Sequence, residues 1–130
     1  MKIAGKSPVN LIFKLIATAL VFLGLDAIYL TAISPFYKAM VQNIQGSPMK
    51  FRPFSAIIVY VFLIAGLFYF IIAPNKTPAE AALLGAVIYG TYDFTNHTLL
   101  KDYSFTIGTI DTIWGGVLHY LTTYIVQFIF

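Results

Sequence analysis

Residues 55–73, SAIIVYVFLIAGLFYFIIA, carry no charged side chain and very little that water would solvate. A helix needs about 20 apolar residues to cross the hydrocarbon of a bilayer, and this run supplies them. Three more runs of similar length, at about 10–32, 78–100 and 105–127, share the chain with it. With their connections they account for the 130 residues and leave no room for a separate soluble domain. Composition agrees, since 59% of residues are hydrophobic, 10% are charged and the mean hydropathy is +0.83. A soluble domain is roughly one-quarter charged, so this surface faces lipid. The sequence predicts an all-α integral membrane four-helix bundle, a single polytopic domain over 1–130 whose first partner is the lipid bilayer.

The connections at 74–77 and 101–104 are short and make their flanking spans antiparallel neighbours. Thr77-Pro78-Ala79-Glu80 is a capping box with proline at the first helical position, and Ser104 is placed to cap span four. The longer connection, 33–54, opens on Ser34-Pro35, repeats Phe36, Met40 and Ile44 at four-residue spacing, and stops at Gly46. It predicts a short interfacial amphipathic helix between spans one and two. Met1 to Asn10 is basic, but the apolar run after it outlasts a signal-peptide core and lacks a small-x-small cleavage site, so it reads as an uncleaved span. Lys2, Lys6, Lys14 and Lys76 fall on one side of the membrane and Lys38, Lys50, Arg52 and Lys101 on the other. That balance selects no orientation.

Several classes are excluded. Without cysteine there is no disulfide and no thiolate metal site. The +3 net charge comes from scattered lysines and arginine, with no basic block for nucleic acid. No nucleophile motif or glycine-rich phosphate loop occurs, and Gly115-Gly116 lies mid-span as a packing device.

The informative residues are the ionisable ones within the spans. Glu80 is explained by capping, and Asp102 lies in a loop. Lys14 is near the edge of span one, points away from Asp26 on a helical wheel, and is expected to snorkel to the headgroups. Asp26, Asp93 and Asp111 have no such explanation, and a carboxylate at helix centre costs about 2.5–3.5 kcal/mol on insertion scales. Because helices alternate direction, all three fall in the same half of the bilayer, about 6–8 Å from the midplane by helical rise. At 100° per residue, Asp93 shares a face with Ala82, Gly85, Ala86, Tyr89, Gly90, Asn96 and His97. Asp111 shares one with Gly108, Trp114, Gly115, His119 and Thr122, and Asp26 one with Ala19, Phe22 and Tyr29. The small residues admit a second backbone, and self-association into a homo-oligomer is expected.

Three readings follow. In the first, the layer binds or translocates a proton, a cation or a small polar ligand; Asp26, Asp93 and Asp111 are the binding groups, oriented by Tyr89, Tyr92, Asn96 and Trp114. In the second, the chain is a membrane-embedded enzyme or an accessory factor of lipid metabolism. Asp93 and His97, one helical turn apart, and Asp111 would then be the metal candidates. In the third, the aspartates only pack helices through hydrogen bonds. No cofactor is implied by any motif.

The stretch Tyr89-Gly90-Thr91-Tyr92-Asp93-Phe94-Thr95-Asn96, with Asp111-Thr112-Ile113-Trp114-Gly115, resembles a family of predicted bacterial membrane proteins, domain of unknown function twenty-one seventy-seven. Phe22-Leu23-Gly24-Leu25-Asp26 and Pro35-Phe36-Tyr37 are similar to its first helix and the exit from it. The resemblance covers nearly the whole chain. It implies a four-helix protein of the bacterial inner membrane and marks Asp26, Asp93, Asn96, Asp111 and Trp114, while His97 departs from the family pattern.

Overall fold

The computed structural model describes residues 8–130, and Lys2, Lys6 and the rest of the basic start lie outside the described residues. The chain forms α1 (Pro8–Gln45), α2 (Pro53–Leu67), α3 (Pro78–Leu99) and α4 (Phe105–Ile129), with a π-helical stretch, Phe68–Ile72, continuing α2. There is no strand among the described residues. Two helices, α1 and the continuous Pro53–Ile72, are long and apolar enough to cross a membrane. Only 22% and 17% of their most apolar windows are buried inside the protein. Their remaining apolar side chains, such as Leu20, Ile28, Ile57 and Phe62, point outward, as lipid-facing residues do. α3 and α4, at 22 and 25 residues, have the length to match. They are less apolar because their inner faces carry the polar residues.

The predicted caps form. The Thr77 hydroxyl accepts from the Glu80 amide at 3.2 Å, while the Thr77 amide donates to Glu80 Oε2 at 2.9 Å. Ser104 Oγ accepts from the Ile107 amide at 3.1 Å and starts α4. Gly46 ends α1 with φ +75, a left-handed conformation that glycine takes at little cost.

The interfacial helix expected after span one is not a separate element. α1 runs through Pro35 to Gln45 without a break, 38 residues in all, about 57 Å by helical rise. That exceeds the ~30 Å hydrocarbon thickness, so α1 projects beyond it. Tertiary contacts override the proline signal. Met40 is buried and its Sδ accepts from the Ser104 amide at 3.2 Å, and the Tyr37 hydroxyl meets that of Tyr92 at 3.2 Å. Both contacts dock the extension on the α3–α4 end of the molecule.

Lys14 also departs from expectation. It is buried, at 4% exposure, rather than snorkelling outward. The buried residues of α1 are Lys14, Thr18, Phe22, Asp26 and Met40. Their first four follow a four-residue ridge, which winds slowly around a helix, and ridge-into-groove packing buries the whole row. A wheel drawn for a straight stripe separates Lys14 from Asp26, whereas the ridge brings both to the interface.

α3 and α4 form the tightest pair. A Cβ on Gly85 would run into the Gly115 carbonyl and the His119 ring, and one on Gly115 would run into Tyr89. Gly116 lies close to Ala82, at 3.3 Å from its carbonyl oxygen to the position a Cβ would take. The core joins Phe22 of α1 with Leu67, Ile71 and Ile72 at the end of span two, Ala81 of α3, and Leu118 and Val126 of α4. The π-helical stretch turns this end of span two inward. Its wider register, marked by the Ala73 amide on the Phe68 carbonyl at 2.8 Å, leaves Leu67, Ile71, Ile72 and Ala73 all buried. Gln127 of α4 then holds the Lys76 carbonyl at 2.5 Å.

This packing predicts that Gly85→Ala, which forces backbone apart, lowers unfolding stability in detergent by about 1–3 kcal/mol, the usual cost of overpacking. Gly24→Ala, with nothing within 4 Å of the added carbon, leaves it unchanged or slightly raised. Denaturation of the two purified variants side by side checks this.

Candidate functional site

Asp26 is 5% exposed on the inner face of α1. Its two oxygens are satisfied from two other helices: Trp114 Nε1 of α4 donates to Oδ1 at 2.9 Å, and the Tyr60 hydroxyl of α2 donates to Oδ2. Both donors are neutral. One turn further along α1, the Tyr29 hydroxyl donates to Asp111 Oδ1 at 2.9 Å. The Tyr29 ring stacks on Trp114 with centroids 4.9 Å apart and planes 9° from parallel. Tyr29 and Trp114 thereby cross-link the environments of Asp26 and Asp111.

Asp93 of α3 is fully buried. Tyr103, in the connection to α4, donates to its Oδ1 at 2.7 Å, while its Oδ2 has no hydrogen-bond partner. Asp93 packs against Gly108 at the start of α4, and its carboxyl lies near that of Asp111, one turn further along α4. Burial, then the neighbouring Asp93, push the Tyr103 phenol above the ordinary tyrosine range, so it stays protonated as a donor.

A cavity of about 730 Å³ opens beside this cluster, between α1, α2 and α3. Asp26, Tyr29 and Tyr37 line it from α1, Tyr60 and Leu63 from α2, Tyr89 and Tyr92 from α3, and Asp111 from α4. Met49 and Phe51 of the connection close one side, and the exposed Lys38 stands at its rim. α2 and its π-helical end pack only lightly on α1, which leaves space for the cavity between them.

The structure brings Asp26, Asp93, Asp111 and Trp114 into one network of contacts. Tyr89 lines the cavity, but its ring packs on Gly115 and edge-on to His119, at 5.9 Å. The Tyr92 hydroxyl pairs with Tyr37. Asn96 lies beside Tyr103 and so acts on Asp93 through it. His97 is exposed and packs edge-on against Phe105, at 5.4 Å. Among the described residues no three His, Asp or Glu side chains are placed to hold a metal ion. His119 is buried away from the carboxyls, its Nδ1 2.7 Å from the Gly115 carbonyl and its ring edge-on to Phe22 at 5.3 Å. Tyr60, Tyr103, Tyr37 and Lys38 escaped sequence reasoning. Tyr60 had one available signal, a hydroxyl deep in a span otherwise almost free of polar groups.

A helical bundle with two lipid-facing apolar helices and a polar cluster turned inward is an integral membrane architecture. The chain belongs to the predicted membrane protein family DUF2177, whose family model matches residues 11–128. No curated protein and no solved structure matches it.

Tyr103→Phe deprives a fully buried carboxyl of its donor and is expected to lower stability by about 1–3 kcal/mol. Tyr37→Phe, which removes one hydroxyl from an exposed pair, is expected to change it by less than about 0.5 kcal/mol. Equilibrium unfolding in the same detergent distinguishes the two.

Proposed function

We propose that this chain crosses the bilayer four times and that its acid–tyrosine cluster binds a proton or a cation within the membrane and passes it through the adjoining cavity. Asp93 and Asp111 are the primary binding pair and Asp26 the third member. The observation that carries this reading is the buried, half-satisfied carboxyl of Asp93, which packs at Gly108, one helical turn before Asp111. The Asp111 carboxyl lies near it on the cavity wall. Two neighbouring carboxylates in a low dielectric hold a proton or a cation between them. The surrounding donors are phenols and an indole, which satisfy lone pairs without cancelling charge.

Self-association belongs to the same reading. Ala82, Ala86, Ile113, Gly116 and Val117 line an apolar groove on the outer side of the α3–α4 pair, whose small residues would let a helix of a second copy approach.

Reconstitution into liposomes tests the proposal. Asp93→Asn and Asp111→Asn are expected to abolish proton or monovalent-cation flux, read with entrapped pH and potassium indicators. Fluxes equal to wild type in both variants would leave the aspartates as helix-packing groups and end this reading.

A further inference from the structure

We infer that the cavity takes an alkylammonium ion, either a free organic amine or the ammonium headgroup of a lipid, as the cation of the site proposed above. The inference rests on that proposal and names its ligand. The walls argue for it. A hard metal ion takes six or more oxygen ligands directly, at about 2.0–2.6 Å, but the cavity is lined by two carboxylates, Asp26 and Asp111, and Tyr60, Trp114 and Tyr29 already donate to three of their oxygens. A volume of about 730 Å³ also far exceeds what a bare ion fills. An ammonium carrying methyl or alkyl groups needs no inner-sphere ligand. It is attracted to aromatic faces within about 6 Å, and to carboxylate charge over longer distances. Tyr37, Tyr60, Tyr89 and Tyr92 supply rings around the cavity, and Asp26 and Asp111 supply charge on one wall. Leu63 and Phe51 add apolar surface for alkyl substituents. Access is from the surface past Tyr92, 54% exposed, and Lys38, whose charge suits the phosphate of a headgroup.

The protein carries its own reporter, because Trp114 is the sole tryptophan and touches both Asp26 and Tyr29. The full chain is placed in nanodiscs of phosphatidylglycerol, which lacks an ammonium group, and titrated with choline chloride and, separately, with sodium chloride at equal concentration. A saturable change in Trp114 emission with choline and none with sodium is the expected result for a free amine. If the headgroup is the source, the protein in phosphatidylcholine discs already shows the shifted emission, and choline adds nothing there. Tyr92→Leu, at an exposed position, is expected to weaken the response by about two- to fivefold, with Tyr37→Phe as the control for loss of the Tyr37–Tyr92 contact. Asp111→Asn is expected to weaken it by more than about tenfold. Equal responses to choline and sodium would overturn the alkylammonium assignment while leaving a cation site in place. No response to choline, with identical emission in both lipids, would overturn it outright, and the liposome fluxes then decide the underlying proposal separately.

Discussion

Hydrocarbon offers a carboxylate no hydrogen bonds, so every donor must come from the protein. Asp26 draws its two from Tyr60 on α2 and Trp114 on α4, and one side chain of α1 thereby ties three helices together. The linkage continues outward. Trp114 stacks on Tyr29, Tyr29 donates to Asp111, Asp111 lies near Asp93, and Asp93 accepts from Tyr103 at the α3–α4 connection. Removing any one of these donors strands a buried oxygen, and that penalty exceeds the small net gain of an ordinary hydrogen bond.

The network spans two kinds of packing. On one side α3 and α4 meet through Gly85 and Gly115, where a single added carbon collides with a carbonyl or a ring, and through Gly116, where it would sit tightly against Ala82. On the other, α2 is held by its π-helical end and by Tyr60, and packs only lightly on α1. The first arrangement fixes Asp93 near Asp111. The second leaves the space that Asp26 and Asp111 border. A rigid pair facing a loosely covered cavity is the combination that lets a buried acidic cluster be both organised and reachable.

Much of this was legible in the residues. The four helices follow from hydropathy, and the starts of α3 and α4 follow from Thr77-Pro78-Ala79-Glu80 and Ser104. The inward face of α4 and the Gly85–Tyr89–Asp93 part of that of α3 follow from helical periodicity, whereas His97, at the end of the same stripe, is exposed. That Asp26, Asp93 and Asp111 come near one another follows from equal depth in antiparallel helices. What was not legible depends on tertiary contact. Pro35 marks a helix start in sequence, but burial of Met40 and the Tyr37–Tyr92 contact carry α1 through it. Lys14 looks peripheral until the four-residue ridge of α1 is laid into its groove. The π-helical stretch Phe68–Ile72 leaves no mark in a run of uniformly apolar residues. Tyrosine partners are hidden for a related reason: a phenol suits lipid, interface and core alike, and only the fold says which carboxyl it meets.

The choice of donors separates this cluster from a structural ion pair. A lysine or arginine beside Asp26 or Asp111 would satisfy the same lone pairs and neutralise the site, and the cavity would then present no net charge to anything entering it. Phenol and indole donors remove the hydrogen-bond deficit alone. The desolvation cost of the acids is therefore only partly offset by these donors, and in the function proposed above a positive species, a proton or a cation, offsets the rest. Donor rings that are also π surfaces go further, because the hydroxyl edge of Tyr60 serves Asp26 while its ring lines the cavity. On the reading proposed above, the same side chains that make the acids tolerable in lipid also shape the space beside them for a cation with an apolar body.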